Sequence, residues 1–216
     1  MKPKTLIPLM ALLASILTCV LPCLAEEPLV YFEENGFRYQ VHLKAKYCEV
    51  VENREKPYTG VVEIPDTAGG YPVTKIGCFA FKRCKNLTEV RVGNHITEID
   101  DLAFWDCHAL EKVVLPDTLS LFGWRMFLGC RALKEVNLPD GLPWIFSETF
   151  KDCVSLEEIV IPESVKLIDI EAFMGCGVRN INLPDSVKDI CADAFRESAL
   201  ETIHIEVGGQ AVLGRQ

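Results

Sequence analysis

Five phenylalanines, Phe81, Phe104, Phe127, Phe150 and Phe173, stand 23 residues apart, and a cysteine follows each by three: Cys84, Cys107, Cys130, Cys153 and Cys176. Further apolar columns keep the same step. Leu87, Leu110, Leu133 and Leu156 are followed by Val90, Val113, Val136 and Ile159, then by Val92, Leu115, Leu138 and Ile161. The second half of each unit places Ile96, Leu119, Leu142 and Val165, and then Ile99, Phe122, Ile145 and Ile168. A fixed period of this length means a solenoid, because one unit cannot bury its own apolar face and needs a neighbour on each side. Coils of equal length put equivalent side chains above one another at the strand spacing of about 4.7–4.9 Å, so each column becomes a continuous inner wall.

The spacing predicts a short strand at the end of each unit, as in Glu158–Ile161, with Ile159 and Ile161 pointing inward. Pro-Asp or Pro-Glu pairs at 116–117, 139–140, 162–163 and 184–185 end the strands and form turns. The return side, such as Val165–Ile168, reads as a second short strand or as irregular chain, and the segment through Phe173 and Cys176 reads as one helical turn. In the last units the step slips to 22, from Phe173 to Phe195, with Val178 filling the leucine slot two residues after Cys176.

Four stretches follow. Residues 1–25 carry Lys2 and Lys4, an apolar run over Leu6–Leu17 and Cys23-Leu24-Ala25, the pattern of a secretory signal peptide cleaved after Ala25. Residues 26–63 lack the repeat. There Asn35-Gly36 between two β-prone runs signals a hairpin, with further strands over Tyr47–Val51 and Gly60–Ile64, and we read an N-terminal β cap over the bare end of the solenoid. Residues 64–207 form about six coils, the first with five extra residues in Ala68–Pro72, expected as a bulging surface loop. Residues 208–216 form a tail that looks too thin to cover the last coil.

The units resemble BspA-type leucine-rich repeats, as in Leu156-Glu-Glu-Ile-Val-Ile-Pro-Glu-Ser-Val165-Lys-Leu-Ile168 followed by Phe173-Met-Gly-Cys176, and the match covers about residues 60–205. The resemblance implies a right-handed leucine-rich-repeat superhelix with short parallel strands, one per coil, mostly β with short helical turns. It also implies an exported or surface protein of bacteria living with hosts, several of which are adhesins or other protein-binding surfaces. It brings no catalytic motif, and fold likeness is a weak warrant for any particular partner.

Charge narrows the partners. The whole chain carries a net −9, and without residues 1–25 the balance is −11, with no basic cluster longer than Lys82-Arg83, which argues against nucleic acid. No stretch of the mature chain is apolar enough to span a bilayer. Zinc sites want closely spaced Cys or His pairs, and the nearest approach is Cys78 with Cys84, without a histidine. His42, His95, His108 and His204 fall at different phases, so no Ser–His–Asp set recurs. No cofactor, metal or enzymatic role is expected.

The ladder cysteines number five, which cannot pair off, and the sixth coil has Ser198 in their place. We expect buried thiols whose S–H satisfies a backbone carbonyl at a tight corner. Adjacent rungs remain within disulfide range of about 4.4–6.8 Å, so geometry leaves a bond open, as it does for Cys48 with Cys78 and for Cys191. The structural ladder is thus these cysteines with Phe81, Phe104, Phe127, Phe150, Phe173 and Phe195. The binding face is expected on the outward positions of the strands, where residues vary while the inward ones do not. These are Glu89, Arg91, Lys112, Val114, Glu135, Asn137, Glu158, Val160, Asn180, Asn182 and His204. A merely solvated sheet is the alternative. Trp105, Trp124 and Trp144 occupy three phases and form no column; one that is exposed would anchor a contact. Two functions follow: a non-catalytic module binding a host or neighbouring-cell protein through the strand face, or self-assembly into a homodimer through an open C-terminal coil.

Overall fold

The computed structural model describes residues 28–205 and 212–213; the leader expected at 1–25 lies outside them. Three antiparallel strands open the chain, β1 (Val30–Glu34), β2 (Phe37–His42) and β3 (Tyr47–Val51), with Asn35 and Gly36 both at positive φ in the tight turn between the first two. The coils then contribute strands to two sides. The front side carries β4 (Gly60–Glu63), β7 (Leu87–Arg91), β9 (Lys112–Val114), β11 (Glu135–Val136), β14 (Asn180–Leu183) and β16 (Thr202–Ile205). The return side carries β6 (Tyr71–Ile76), β8 (Glu98–Ile99), β10 (Leu121–Phe122), β12 (Trp144–Ile145), β13 (Leu167–Ile168), β15 (Asp189–Ile190) and β17 (Val212–Leu213). Successive coils pair in parallel, and β3 joins β6, so the N-terminal meander extends the return-side sheet.

The five extra residues of the first coil do not bulge. They close a two-residue hairpin between β5 (Thr67–Ala68) and β6, with Gly69 and Gly70 at positive φ. A Cβ on Gly69 would lie 2.8 Å from the Phe32 ring, so this turn is fitted against the N-terminal sheet as well as bent by it.

The helical turn expected around each phenylalanine is also absent, and the described residues contain no helix. Two left-handed residues bracket each ring: Phe79 and Arg83 around Phe81, Leu102 and Asp106 around Phe104, Arg125 and Gly129 around Phe127. Left-handed φ every four residues breaks a right-handed helix. The chain instead turns in two steps and donates sideways, Phe81 N–H to Ala103 O at 2.8 Å, Phe104 N–H to Met126 O at 3.0 Å, Phe127 N–H to Thr149 O at 3.0 Å and Phe150 N–H to Ala172 O at 2.8 Å. The buried corner thereby satisfies its backbone through the neighbouring coil.

The rings form one continuous stack. Centroids lie 5.0 Å apart for Phe81–Phe104, 5.4 Å for Phe104–Phe127, 5.6 Å for Phe127–Phe150, and 5.2 Å for both Phe150–Phe173 and Phe173–Phe195, with planes within 18° of parallel. Tyr58, itself 23 residues before Phe81, begins the stack at 4.6 Å, and its hydroxyl donates to Val51 O, tying the column to the N-terminal sheet.

The cysteines line the same corner. Cys107 donates its S–H to Phe81 O at 2.9 Å, Cys130 to Phe104 O at 3.1 Å and Cys153 to Phe127 O at 3.3 Å, and all eight described cysteines are free. Cys176 reaches Leu156 O instead, and Ser198 turns its hydroxyl to Phe195 O of its own coil. Burial raises the thiol pKa of Cys130 and Cys153, while Cys84 and Cys107 are raised first by the neighbouring thiol of the next rung; Cys176 is pushed up by burial to about 11.

At the C-terminal end the structure differs from the sequence expectation. Val212–Leu213 pairs in parallel with Asp189–Ile190, 23 residues earlier, so these two tail residues add a further return-side strand. The period simply continues where the apolar pattern had thinned. On the front side β16 is the last strand among the described residues, with Ile205 at 41% exposure.

Because the ladder thiols are neutral in the folded state and ionise more easily when unfolded, their contribution to stability is complete below the unfolded thiol pKa of about 8.5 and declines above it. The urea midpoint should therefore fall between pH 8 and 9.5. In thiol titration without reductant, Cys78, which is exposed, should react in the native state and the five ladder thiols only after denaturation. Two or fewer new thiols on denaturation would show that the rungs are bridged instead.

Candidate functional site

The front strands present alternate residues to solvent, and the structure collects most of the expected face around one groove of about 940 Å³. Lys112, Val114, Glu135, Asn137, Glu158, Val160, Asn180 and Asn182 line it, whereas Glu89, Arg91 and His204 lie outside its lining. Lys134, Val136 and Leu138 also line it. The last two are members of inward columns, and nothing in the pattern marks them as accessible; in the preceding coil their counterparts Val113 and Leu115 are fully buried, but here both are half-exposed.

The groove has a structural cause. The front ladder runs β4-β7-β9-β11 and stops, then resumes as β14-β16. Between them Glu158–Ile161, expected as a strand, joins no ladder. Their inward residues still pack, with Ile159 at 8% and Ile161 at 5% exposure, while Val160 stands at 83%. The coils remain joined on the opposite side, where Lys166 N–H donates to Pro143 O and Asp169 N–H to Ile145 O. The front face therefore opens between the fourth and fifth coils without the core coming apart.

Many charges on this face are already spent. Lys112 meets Glu135 at 2.5 Å, Lys134 meets Glu111 at 2.8 Å and Arg179 meets Glu201 at 3.3 Å, each across one coil, while Arg91 pairs with Glu89 on its own strand at 2.8 Å. The bond to Glu135 raises the Lys112 pKa. Exposed pairs of this kind contribute little to stability, but they neutralise the face. Asn137 is committed differently. Leu115 N–H donates to its Oδ1 and its Nδ2 donates to Leu115 O, both at 2.8 Å, so the side chain replaces the ladder where β9 loses its backbone partner. Val114, Val160, Glu158, Asn180 and Asn182 are left as the exposed groups of the groove with no side-chain partner among the described residues.

The tryptophans divide. Trp105 is half-buried under Lys82 and Arg83, each 4.8 Å from its ring. Trp124 and Trp144 are exposed on the return side at 56% and 46%.

This geometry has relatives. The model of the BspA type leucine rich repeat region matches in six copies over residues 62–176 and 144–210. The chain belongs to the BspA-type leucine-rich repeat family. Among solved structures it is similar to the T. pallidum leucine rich repeat protein TpLRR, at 26% identity and TM-score 0.71, covering 82% of this chain and 84% of that one. A leucine rich cell surface protein from Faecalibacterium prausnitzii A2-165 matches at 24% identity and TM-score 0.62, with 85% of this chain and 56% of that chain covered. The pneumococcal vaccine antigen PcpA shares the fold at 20% identity and TM-score 0.58, with 83% and 50% covered. This BspA-type chain thus spans about half the length of the latter two. No curated protein matches it.

Asn137→Ala should cost about 1–3 kcal/mol, two lost hydrogen bonds at about 0.5–1.5 kcal/mol each, read as a lower urea midpoint. An unchanged midpoint would return Asn137 to the set of groups free to bind.

Proposed function

We propose that this protein is a non-catalytic, exported recognition module that binds a host or neighbouring-cell protein through its front strand face, centred on the groove between the fourth and fifth coils. The observation that carries the reading is that opening: a roughly 940 Å³ concavity where the ladder is interrupted, with apolar Val114, Val136, Leu138 and Val160 beside unpaired Glu158, Asn180 and Asn182. An apolar centre with a few convergent polar groups is the usual composition of a binding site. Lys112 and Lys134 are held in ion pairs along one side, which leaves Glu158 as the free charge and favours a partner offering a cation or amide donor there. Export is supported by the leader pattern at 1–25 and by the cell-surface setting of the F. prausnitzii protein, which shares the fold. Among the described residues no helix is long and apolar enough to cross a membrane.

A second reading, self-association through the C-terminal end, is supported by β16, which among the described residues is the last front strand and pairs only with β14, and by Ile205, 41% exposed. It is narrower than the sequence suggests, because β17 extends the return side.

Val160→Glu places a charge at the centre of the groove on a side chain that packs against little, so the fold should be unaffected. In pull-downs from host extracellular matrix, the protein captured by wild type should drop at least about tenfold with this variant, a change of about 1.4 kcal/mol or more. Equal capture by both would remove the front groove from the account. Sedimentation of wild type at high micromolar concentration separates the two readings: a monomer excludes self-association.

A further inference from the structure

The return side carries a second break that the front-face reading does not use. Its ladder runs through β6, β8 and β10, stops, and resumes with β12, β13, β15 and β17. The cause is a single residue. At the start of the return strand Thr97 donates to Thr74 O, Ser120 to Thr97 O, Lys166 to Pro143 O and Lys188 to Lys166 O. In the fourth coil this position is Pro143, which has no N–H to give. Three residues on, Gly123 donates to Ile99 O and Asp169 to Ile145 O, but no such bond joins Phe146 to Phe122 among the described residues.

Large apolar side chains gather at this break. Leu121 is 49% exposed, Trp124 56% and Trp144 46%. Trp144 and Phe146 meet edge to face at 5.7 Å, and Phe146 meets Phe122 in the same way at 5.8 Å. A cavity of about 230 Å³ lies beside them, walled by Leu121, Phe122, Trp124 and Phe146 on one side and by Glu98, Asp100 and Asp101 on the other. Its shape is fixed by close approach: a Cβ on Gly123 would lie 2.2 Å from Asp101 Oδ1, and that oxygen accepts the Trp124 N–H at 2.8 Å.

The charges around it are one-sided. Lys75 answers Glu98 at 3.1 Å and Asp100 at 2.9 Å, one cation for two carboxylates. Asp101 has no ion-pair partner among the described residues, and the nearby cation Arg125 is engaged by Glu148. An aromatic wall facing surplus carboxylate suits a cation that is also amphipathic.

We propose that this break is a second docking surface, which takes an extended segment of a partner protein carrying a lysine or arginine next to an aliphatic residue. The basic side chain enters the cavity between the Trp124 ring and Asp101, and the aliphatic one lies on Leu121 and Trp144. A second copy of this chain is disfavoured as occupant, since a two-fold contact sets like patch against like and would bring the same carboxylates together.

The test is selection of a random heptapeptide display library on the mature chain, with subtraction on the Trp124→Ser/Trp144→Ser double variant. Both residues are exposed, so an unchanged thermal midpoint verifies that the variant is folded. Enriched peptides should carry Lys or Arg adjacent to Leu, Ile or Val. Their affinity should fall at least tenfold with Trp124→Ser and with Asp101→Asn, which keeps the acceptor oxygen but removes the charge, and it should weaken with added salt. Val160→Glu on the front side should leave it unchanged, which distinguishes this surface from the front groove. Enrichment of peptides without a basic residue, equal binding to the double variant, no enrichment at all, or retention on insoluble chitin or cellulose in place of peptide would each overturn the proposal.

Discussion

The stack of phenylalanine rings is the interaction on which the rest of the structure depends. Each inner ring is buried because another lies about 5 Å above and below it, so every coil must return to the same corner. That requirement explains the left-handed residues on either side of each ring, since two sharp turns bring the chain round the corner and leave its N–H groups aimed at the next coil. It also explains the cysteines. A thiol is small enough for the inside of the corner, and its S–H reaches the phenylalanine carbonyl of the coil before. Tyr58 starts the column with a ring whose hydroxyl is anchored in the N-terminal sheet, which closes one end of a structure that otherwise has no natural stop.

With the corner continuous, the two strand sides are free to differ. The return ladder breaks between the third and fourth coils, and the front ladder on both sides of residues 158–161 in the fifth. The fourth coil is therefore attached by its strands on only one side at each junction, while its ring stays in the column. Both concavities described above arise at these breaks. In a solenoid, where coils contact only their neighbours, local loss of pairing on one side costs little if the core column persists, and it exposes inward-column residues such as Val136 and Leu138 that a regular coil would hide.

The fold was legible in the sequence because its determinant, a column of large side chains at constant step, is one-dimensional. Val212 and Leu213 show how far that goes: they stand 23 residues after Asp189 and Ile190, and they take the next strand position despite a glycine-containing approach. What could not be read was the state of the backbone between columns. Helical turn and double left-handed turn place Phe173 and Cys176 equally well on the inside, so apolar spacing does not separate them. The outward positions of the front face were legible as a set, and eight of them line the groove. Their pairing was not, because it depends on which side chains meet across a coil; Asn137 looks like a contact residue in sequence and is a hydrogen-bonding brace in space. The return-side cluster escaped for a similar reason. Trp124 and Trp144 are at different phases, and only the missing N–H of Pro143, a signal present in the sequence, marks the break that both stand beside.

The measurement that bears most directly on the stacked column is equilibrium urea unfolding of Phe127→Ala. Phe127 is fully buried between Phe104 and Phe150, at 5.4 and 5.6 Å. Emptying that rung should cost about 3–5 kcal/mol, the usual range for a buried phenylalanine, because the coils on either side are held apart by their own rings and cannot collapse into the space. A loss below about 1 kcal/mol would contradict the account, since the column could then be interrupted without consequence for the coils it is said to hold together.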